Sequence, residues 1–177
     1  PFFFFSPTRP PPMLRSLVGS EMCIRDSTNA AEDRRASGFE TFLIGPNKNE
    51  AAVRVAAREN AVLELEGISG QKLTNEDLIK ATIAQSAFAS KSEQFASMVQ
   101  GEIKKRVQSK DRGVKQAGFY VLIGASMPNV LVEVGFLSNP MEEKKLKQDM
   151  HKQQIAEAIY HAIKHFKQGR EKVLAGE

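Results

Sequence analysis

The sequence predicts an α/β fold, a mixed or mostly parallel sheet flanked by helices. Three observations predict it. Two apolar runs, GFETFLIG (38–45) and NVLVEV (129–134), have the composition and length of strands. The stretches between and after them carry apolar residues at helical spacing. Strands alternating with helices in a chain of 177 residues are the pattern of one α/β domain. A hydrophobic content of 41% and a charged content of 26% belong to an ordinary globular chain. The net charge of +4 suits an anionic partner and a mildly basic bystander equally. No dense Lys/Arg patch interleaved with aromatics argues for nucleic acid. The single cysteine, Cys23, excludes an internal disulfide, and no run approaches the length of a transmembrane segment.

Residues 1–27, PFFFFSPTRPPPMLRSLVGSEMCIRDS, have neither a helical nor a strand period and hold five of the eight prolines. They lack the charged start, continuous apolar core and small-residue cleavage site of a secretory signal. They read as a disordered Pro-rich leader or as a non-native segment resembling translated sequencing adapter, and in either case as lying outside the fold.

The first strand is 38–45, bounded by glycines and Pro46. An Ala-rich helix is expected over 48–66, closed by Gly67. Thr74 caps a further helix, with Asp77 three residues on. Phe88, Phe95, Val99, Ile103 and Val107 continue as the stripe of an amphipathic helix, and KDRGVKQAG reads as a loop. Two β-rich runs follow, FYVLI (119–123) and NVLVEV (129–134). Asn139-Pro140 starts a helix, with proline at the tolerated first position and Glu142 placed to complete the cap. A last helix, about 150–167, carries Ile155, Ile159, Ala162, Ile163 and Phe166 on one face, and 169–177 is a tail.

One residue does not fit its surroundings. Glu133 interrupts a run, Val130, Leu131, Val132 and Val134, that looks like a strand covered on both faces. A buried, unpaired carboxylate costs several kcal/mol or shifts its pKa far. Alternation places Glu133 with Leu131 and Gly135 toward the carboxyl end of the strand, where sites gather in open α/β sheets. A structural ion pair with a Lys or Arg accounts for it equally well. His161 and His165 have the i, i+4 spacing of a zinc pair but lie off the apolar stripe beside Lys164, and read as a solvated face. Arg112, in DRGVK, is either a ligand contact or part of a plain basic loop.

The stretch MPNVLVEVGFLSNPMEEKKL, followed by QIAEAIYHAI and preceded by GFYVL and TNAAEDRRASGFETFLIG, resembles the zinc-dependent N-acetylmuramoyl-L-alanine amidases, the cell-wall hydrolases. The resemblance runs from Thr28 to about Phe166. It implies a Zn²⁺ held by two histidines and a glutamate. Glu133 would be the general base and acid that takes a proton from the metal-activated water and passes it to the leaving amine. The amide cut would join N-acetylmuramic acid to L-alanine. The resemblance further implies peptidoglycan as partner, Asn29 and Arg112 as substrate contacts, and a periplasmic or cell-envelope location after export, with the signal peptide absent from this chain.

The departures from the family pattern are equally definite. Aligning TNAA on the family's Ser-x-His-x-Asn-Ala motif puts a zinc-binding histidine at position 27, where this sequence has Ser27. The other two ligands are expected upstream, so the chain reads as the N-terminally truncated, C-terminal portion of the catalytic domain (28–168), without zinc and inactive as it stands. The alternative is a non-catalytic wall-binding or activator-binding remnant. The helical stretch 48–108 is longer than a crossover needs. Part of 59–87 is expected either to elaborate that crossover or to gate the site until an activator protein displaces it, with Glu64, Glu66, Glu76 or Asp77 reaching toward the metal.

Overall fold

The computed structural model describes residues 22–45, 50–65, 75–123, 125 and 127–175. Four strands form one mixed sheet in the order β1-β4-β2-β3. They are β1 (Cys23–Asn29), β2 (Phe39–Ile44), β3 (Asp111–Ala117) and β4 (Asn129–Phe136). β1 runs parallel to β4 and β2 parallel to β3. The antiparallel seam lies between β2 and β4, where Glu40 faces Glu133, Thr41 faces Val132 and Phe42 faces Leu131. The helices are α1 (Glu50–Leu65), α2 (Asn75–Arg106), α3 (Pro140–Leu146) and α4 (Asp149–Ala175). The α/β class and the helix-flanked mixed sheet are those the sequence predicts.

Every residue of β4 is buried, which explains its run of β-branched and apolar side chains. Strand alternation sends Val130, Val132 and Val134 to one face, against Phe95, Val99 and Ile103 of α2 and Ile155, Ala158, Ala162 and Phe166 of α4. Leu131 goes to the other face, where Phe42, Ala117, Phe119 and Leu122 meet Ala52 and Ala56 of α1. Small residues on α1 let that helix sit close to the sheet. The rings of Phe95 and Phe166 stand 4.9 Å apart and join α2 to α4. Phe166→Ala is expected to lower stability by about 3–5 kcal/mol, because the cavity is enclosed by two helices and a sheet. Urea unfolding of the pair of proteins checks it.

Several expectations are corrected. The boundary after residue 27 falls inside β1, since Cys23 to Ser27 pair with Asn129 to Glu133. KDRGVKQAG is a strand rather than a loop, an edge strand whose charged and glycine residues are tolerated because only one side of it is hydrogen-bonded within the sheet. FYVLI is not a strand. Tyr120–Leu122 form a 3-10 turn, with Leu122 N donating to Phe119 O at 3.1 Å, and bury Phe119 and Leu122 under α1. The helix begun at Thr74 and the Phe88–Val107 stripe, expected as separate segments, fall largely in one helix, α2, over Asn75–Arg106. The last helix continues through the expected tail to Ala175. Asn139 does cap α3, accepting from Met141 N and Glu142 N. Glu142, however, turns inward and accepts from Gly38 N (2.8 Å), Phe136 N (2.8 Å) and Ser109 Oγ (3.0 Å). Thr74 and Gly67 lie outside the described residues.

Candidate active site

The antiparallel seam brings two glutamates together. Glu133 has Ser27 as its register partner on β1 and Glu40 on β2. Directly opposed side chains share a face, so Ser27, Glu133 and Glu40 form a row across three strands on the side that α1 covers. Glu133 is 0% exposed, and neither of its carboxylate oxygens has a hydrogen-bond partner. Burial pushes its carboxyl up to about 8, reinforced by the negative charges of Glu59 and Glu40. The Ser27 hydroxyl bears on the group from β1 without meeting hydrogen-bond geometry, and Arg58 acts in the same downward direction; both are outweighed. At neutral pH Glu133 therefore keeps its proton.

Glu40 is buried to the same degree and fully partnered. Asn29 Nδ2 donates to its Oε1 at 2.6 Å, Arg112 Nε donates to its Oε2 at 3.1 Å, and Lys115 Nζ donates to Oε2 as well. Arg112 and Lys115 are three apart and in a regular strand would point to opposite faces. A β-bulge changes that. Phe39 pairs with Asp111 and Thr41 with Val114, so Arg112 and Gly113 together face the single residue Glu40. Gly113 makes the bulge possible with φ +79°, a conformation that L side chains rarely adopt.

Helix α1 closes the row from above. Arg58 Nη1 donates to Asn29 Oδ1 at 3.3 Å and to Ala30 O. Asn60 clamps the far side, donating to Gly118 O at 2.9 Å and accepting from Tyr120 N at 2.8 Å. Between them Glu59 is half-buried. Desolvation raises its carboxyl against the pull of Arg25 and Arg58.

Of the residues expected from sequence, Asn29 and Arg112 meet on Glu40, and Glu133 and Ser27 face each other beside it. His161 and His165 stand on α4, on the opposite side of the sheet, and His165 Nδ1 lies 3.6 Å from Glu102. The side chains of Glu64, Glu76 and Asp77, and all of Glu66, lie outside the described residues. Sequence reasoning missed Glu40, Lys115, Arg58 and Glu59. Glu40 carried a signal of the same kind as Glu133, a carboxylate inside an apolar strand.

A zinc ion does not fit the described residues. They hold no group of three or more His, Cys, Asp or Glu able to bind a metal. Around Glu133 the donor set is two carboxylates and a serine hydroxyl with no imidazole, and the third carboxylate nearby, Glu40, is already taken by Arg112 and Lys115.

A family model described as N-acetylmuramoyl-L-alanine amidase matches residues 19–165. The N-acetylmuramoyl-L-alanine amidase AmiC of Escherichia coli O6:H1 is 30% identical over 147 residues, 82% of this chain and 35% of AmiC. LytC of Bacillus subtilis, another N-acetylmuramoyl-L-alanine amidase, is 40% identical over 72 residues, 41% of this chain and 14% of LytC. The chain thus spans about a third or less of these curated relatives. Among solved structures, an N-acetylmuramoyl-L-alanine amidase from Clostridium difficile 630 superposes with a TM-score of 0.59 at 23% identity, covering 87% of this chain and 61% of that one. The catalytic domain of CwlV from Bacillus (Paenibacillus) polymyxa var. colistinus gives 0.58 at 19% identity, covering 87% and 62%. Glu133 and its neighbours therefore lie within the matched region of a chain that belongs to the N-acetylmuramoyl-L-alanine amidase family.

Proposed function

We propose that this chain carries the proton-transfer part of a peptidoglycan amidase site. In its ionised form, populated as pH rises through about 8, Glu133 takes a proton from the water that attacks the amide between N-acetylmuramic acid and L-alanine, and delivers it to the leaving amine. The observation that carries this reading is a fully buried carboxyl with no partner on either oxygen. A structural ion pair, the competing explanation of Glu133, has no counterpart among the described residues, whereas Glu40 beside it has two cations. Asn29 and Arg112 are the proposed substrate contacts. A cell-envelope location follows from where the polymer lies, and no described helix is long and apolar enough to cross a membrane.

Zinc is the metal that family membership suggests for the parent enzyme, and we propose that this chain as it stands does not hold it, since Ser27 occupies the place expected for a histidine. That favours a second reading, a remnant that binds the wall without cutting it. Incubation of the chain with purified peptidoglycan and added zinc separates the two. Release of new amino groups, abolished by Glu133→Gln, identifies an enzyme. Co-sedimentation without release identifies the remnant. A chain that neither binds nor cuts removes both readings.

We propose α1 as the gate; the side chains of the acidic residues first expected to reach the site lie outside the described residues. Arg58 and Asn60 pin this helix on either side of the glutamate row, and the negative charge of Glu59 helps to raise the carboxyl of Glu133. An activator protein that lifts α1 would open the site. The CwlD amidase of Clostridioides difficile, of similar fold (TM-score 0.55 at 22% identity), is seen in complex with the GerS lipoprotein. Replacing Arg58 and Asn60 together by alanine is expected to speed hydrogen exchange in α1 at least tenfold while the α2–α4 core keeps its protection. Unchanged exchange would remove the gate.

A further inference from the structure

Resting on the peptidoglycan reading, we infer that Arg112 and Lys115, brought to one face by the bulge at Gly113 and held on the buried carboxylate of Glu40, form a carboxylate-binding subsite for the stem peptide. Two cations share one carboxylate there, which leaves one positive charge uncompensated. Neither cation is sealed in, for the Arg112 side chain is 26% exposed and that of Lys115 16%. Arg112 spends Nε on Glu40 and Nη1 on Ser37 O (3.4 Å), and its plane lies over the Phe136 ring at 5.0 Å. Its Nη2 has no hydrogen-bond partner among the described residues. A guanidinium so braced offers a directional donor for a carboxylate oxygen, with the Lys115 ammonium beside it.

The placement suits one carboxylate of the substrate. β3 lies two strand spacings from β4, about 10 Å. Two extended residues cover about 7 Å, and the arginine side chain supplies the rest. With the scissile amide at Glu133, the group that arrives at Arg112 is the α-carboxylate of the residue following L-alanine. Stem peptides occur with that carboxylate free or amidated, so the subsite distinguishes the two. A bulge with a left-handed glycine is an uncommon feature in a parallel pair, and what it achieves here is to place the second cation on the same face as the first.

Calorimetric titration of the whole chain with N-acetylmuramoyl-L-alanyl-γ-D-glutamyl-L-lysine and with its isoglutamine counterpart tests this. The free acid is expected to bind about fivefold tighter at low salt, as befits a partly exposed ion pair. Arg112→Gln and Lys115→Gln should each weaken the free acid more than the amidated ligand and so shrink that preference. Arg112→Lys, which keeps the charge and loses the fork, should retain part of it. Gly113→Val should abolish the preference with both cations still in the chain. Equal binding of the two ligands by the unaltered protein overturns the subsite and leaves the peptidoglycan reading standing. Binding of neither overturns that reading and the subsite with it.

Discussion

Glu133→Gln is expected to make the chain more stable at pH 8 by an amount on the order of 3–5 kcal/mol, and to flatten its pH dependence. The folded carboxyl titrates at about 8, far above the ordinary value of 4.5. Stability from the protonated form is therefore fully present below pH 4.5 and is lost as pH rises through 8. Between those limits the unfolded chain has released the proton and the folded chain still holds it, so each pH unit costs about 1.4 kcal/mol. Glutamine imitates the protonated acid in shape and charge and cannot titrate. Urea midpoints at pH 5, 6, 7 and 8 should fall steadily for the unaltered chain and stay level for the variant, with the two close together at pH 5. A flat profile for the unaltered chain would mean that a cation reaches Glu133 in solution, and its assignment as the proton carrier would lose its basis.

The second large effect has the opposite sign. Glu142→Ala is expected to destabilise the chain by about 4 kcal/mol. Its carboxylate accepts two buried backbone N–H groups, those of Gly38 and Phe136, and the Ser109 hydroxyl. Each N–H stranded in the interior costs about 1–3 kcal/mol. Glutamine keeps one acceptor oxygen and should recover about half of the loss. The same urea measurement reads both variants, and an alanine variant within 1 kcal/mol of the parent would show that water replaces the lost acceptor.

These two residues show what the sequence made legible. Glu133 was conspicuous because apolar β-branched residues surround it, and its burial, its face and its strand all follow from period-2 alternation. Glu142 stands in a helix start rich in charge, where a capping role explains it without any inward turn. Only the tertiary approach of Gly38 and Ser109 gives it three donors. Gly38 itself has φ +113°, so the chain turns into β2 in a conformation that favours glycine. The edge strand β3 was hidden for a related reason. Its residues alternate poorly because of the bulge, and its charges are matched by partners on β2 and α2 that no local pattern announces, as with Asp111 on Gln100 and Lys104. FYVLI misled in the other direction, since a run of β-formers was recruited to fill the core under α1. The Ala-rich helix was readable, but the reach of Arg58, Glu59 and Asn60 across the sheet was not.

The strand order has a consequence for the time at which the site comes into being. No two sequential neighbours in this sheet form a hairpin. β1 must find β4 and β2 must find β3 across roughly seventy to a hundred residues of chain, and β4 lies between β1 and β2. Loop closure comes before any of these pairings is rewarded, while the helices can begin to form locally. Glu133 sits on the strand that links β1 to the β2–β3 pair and faces both neighbours of that strand. The proton-holding carboxyl therefore acquires its environment only once two non-local pairings, β4 with β1 and β4 with β2, are both made.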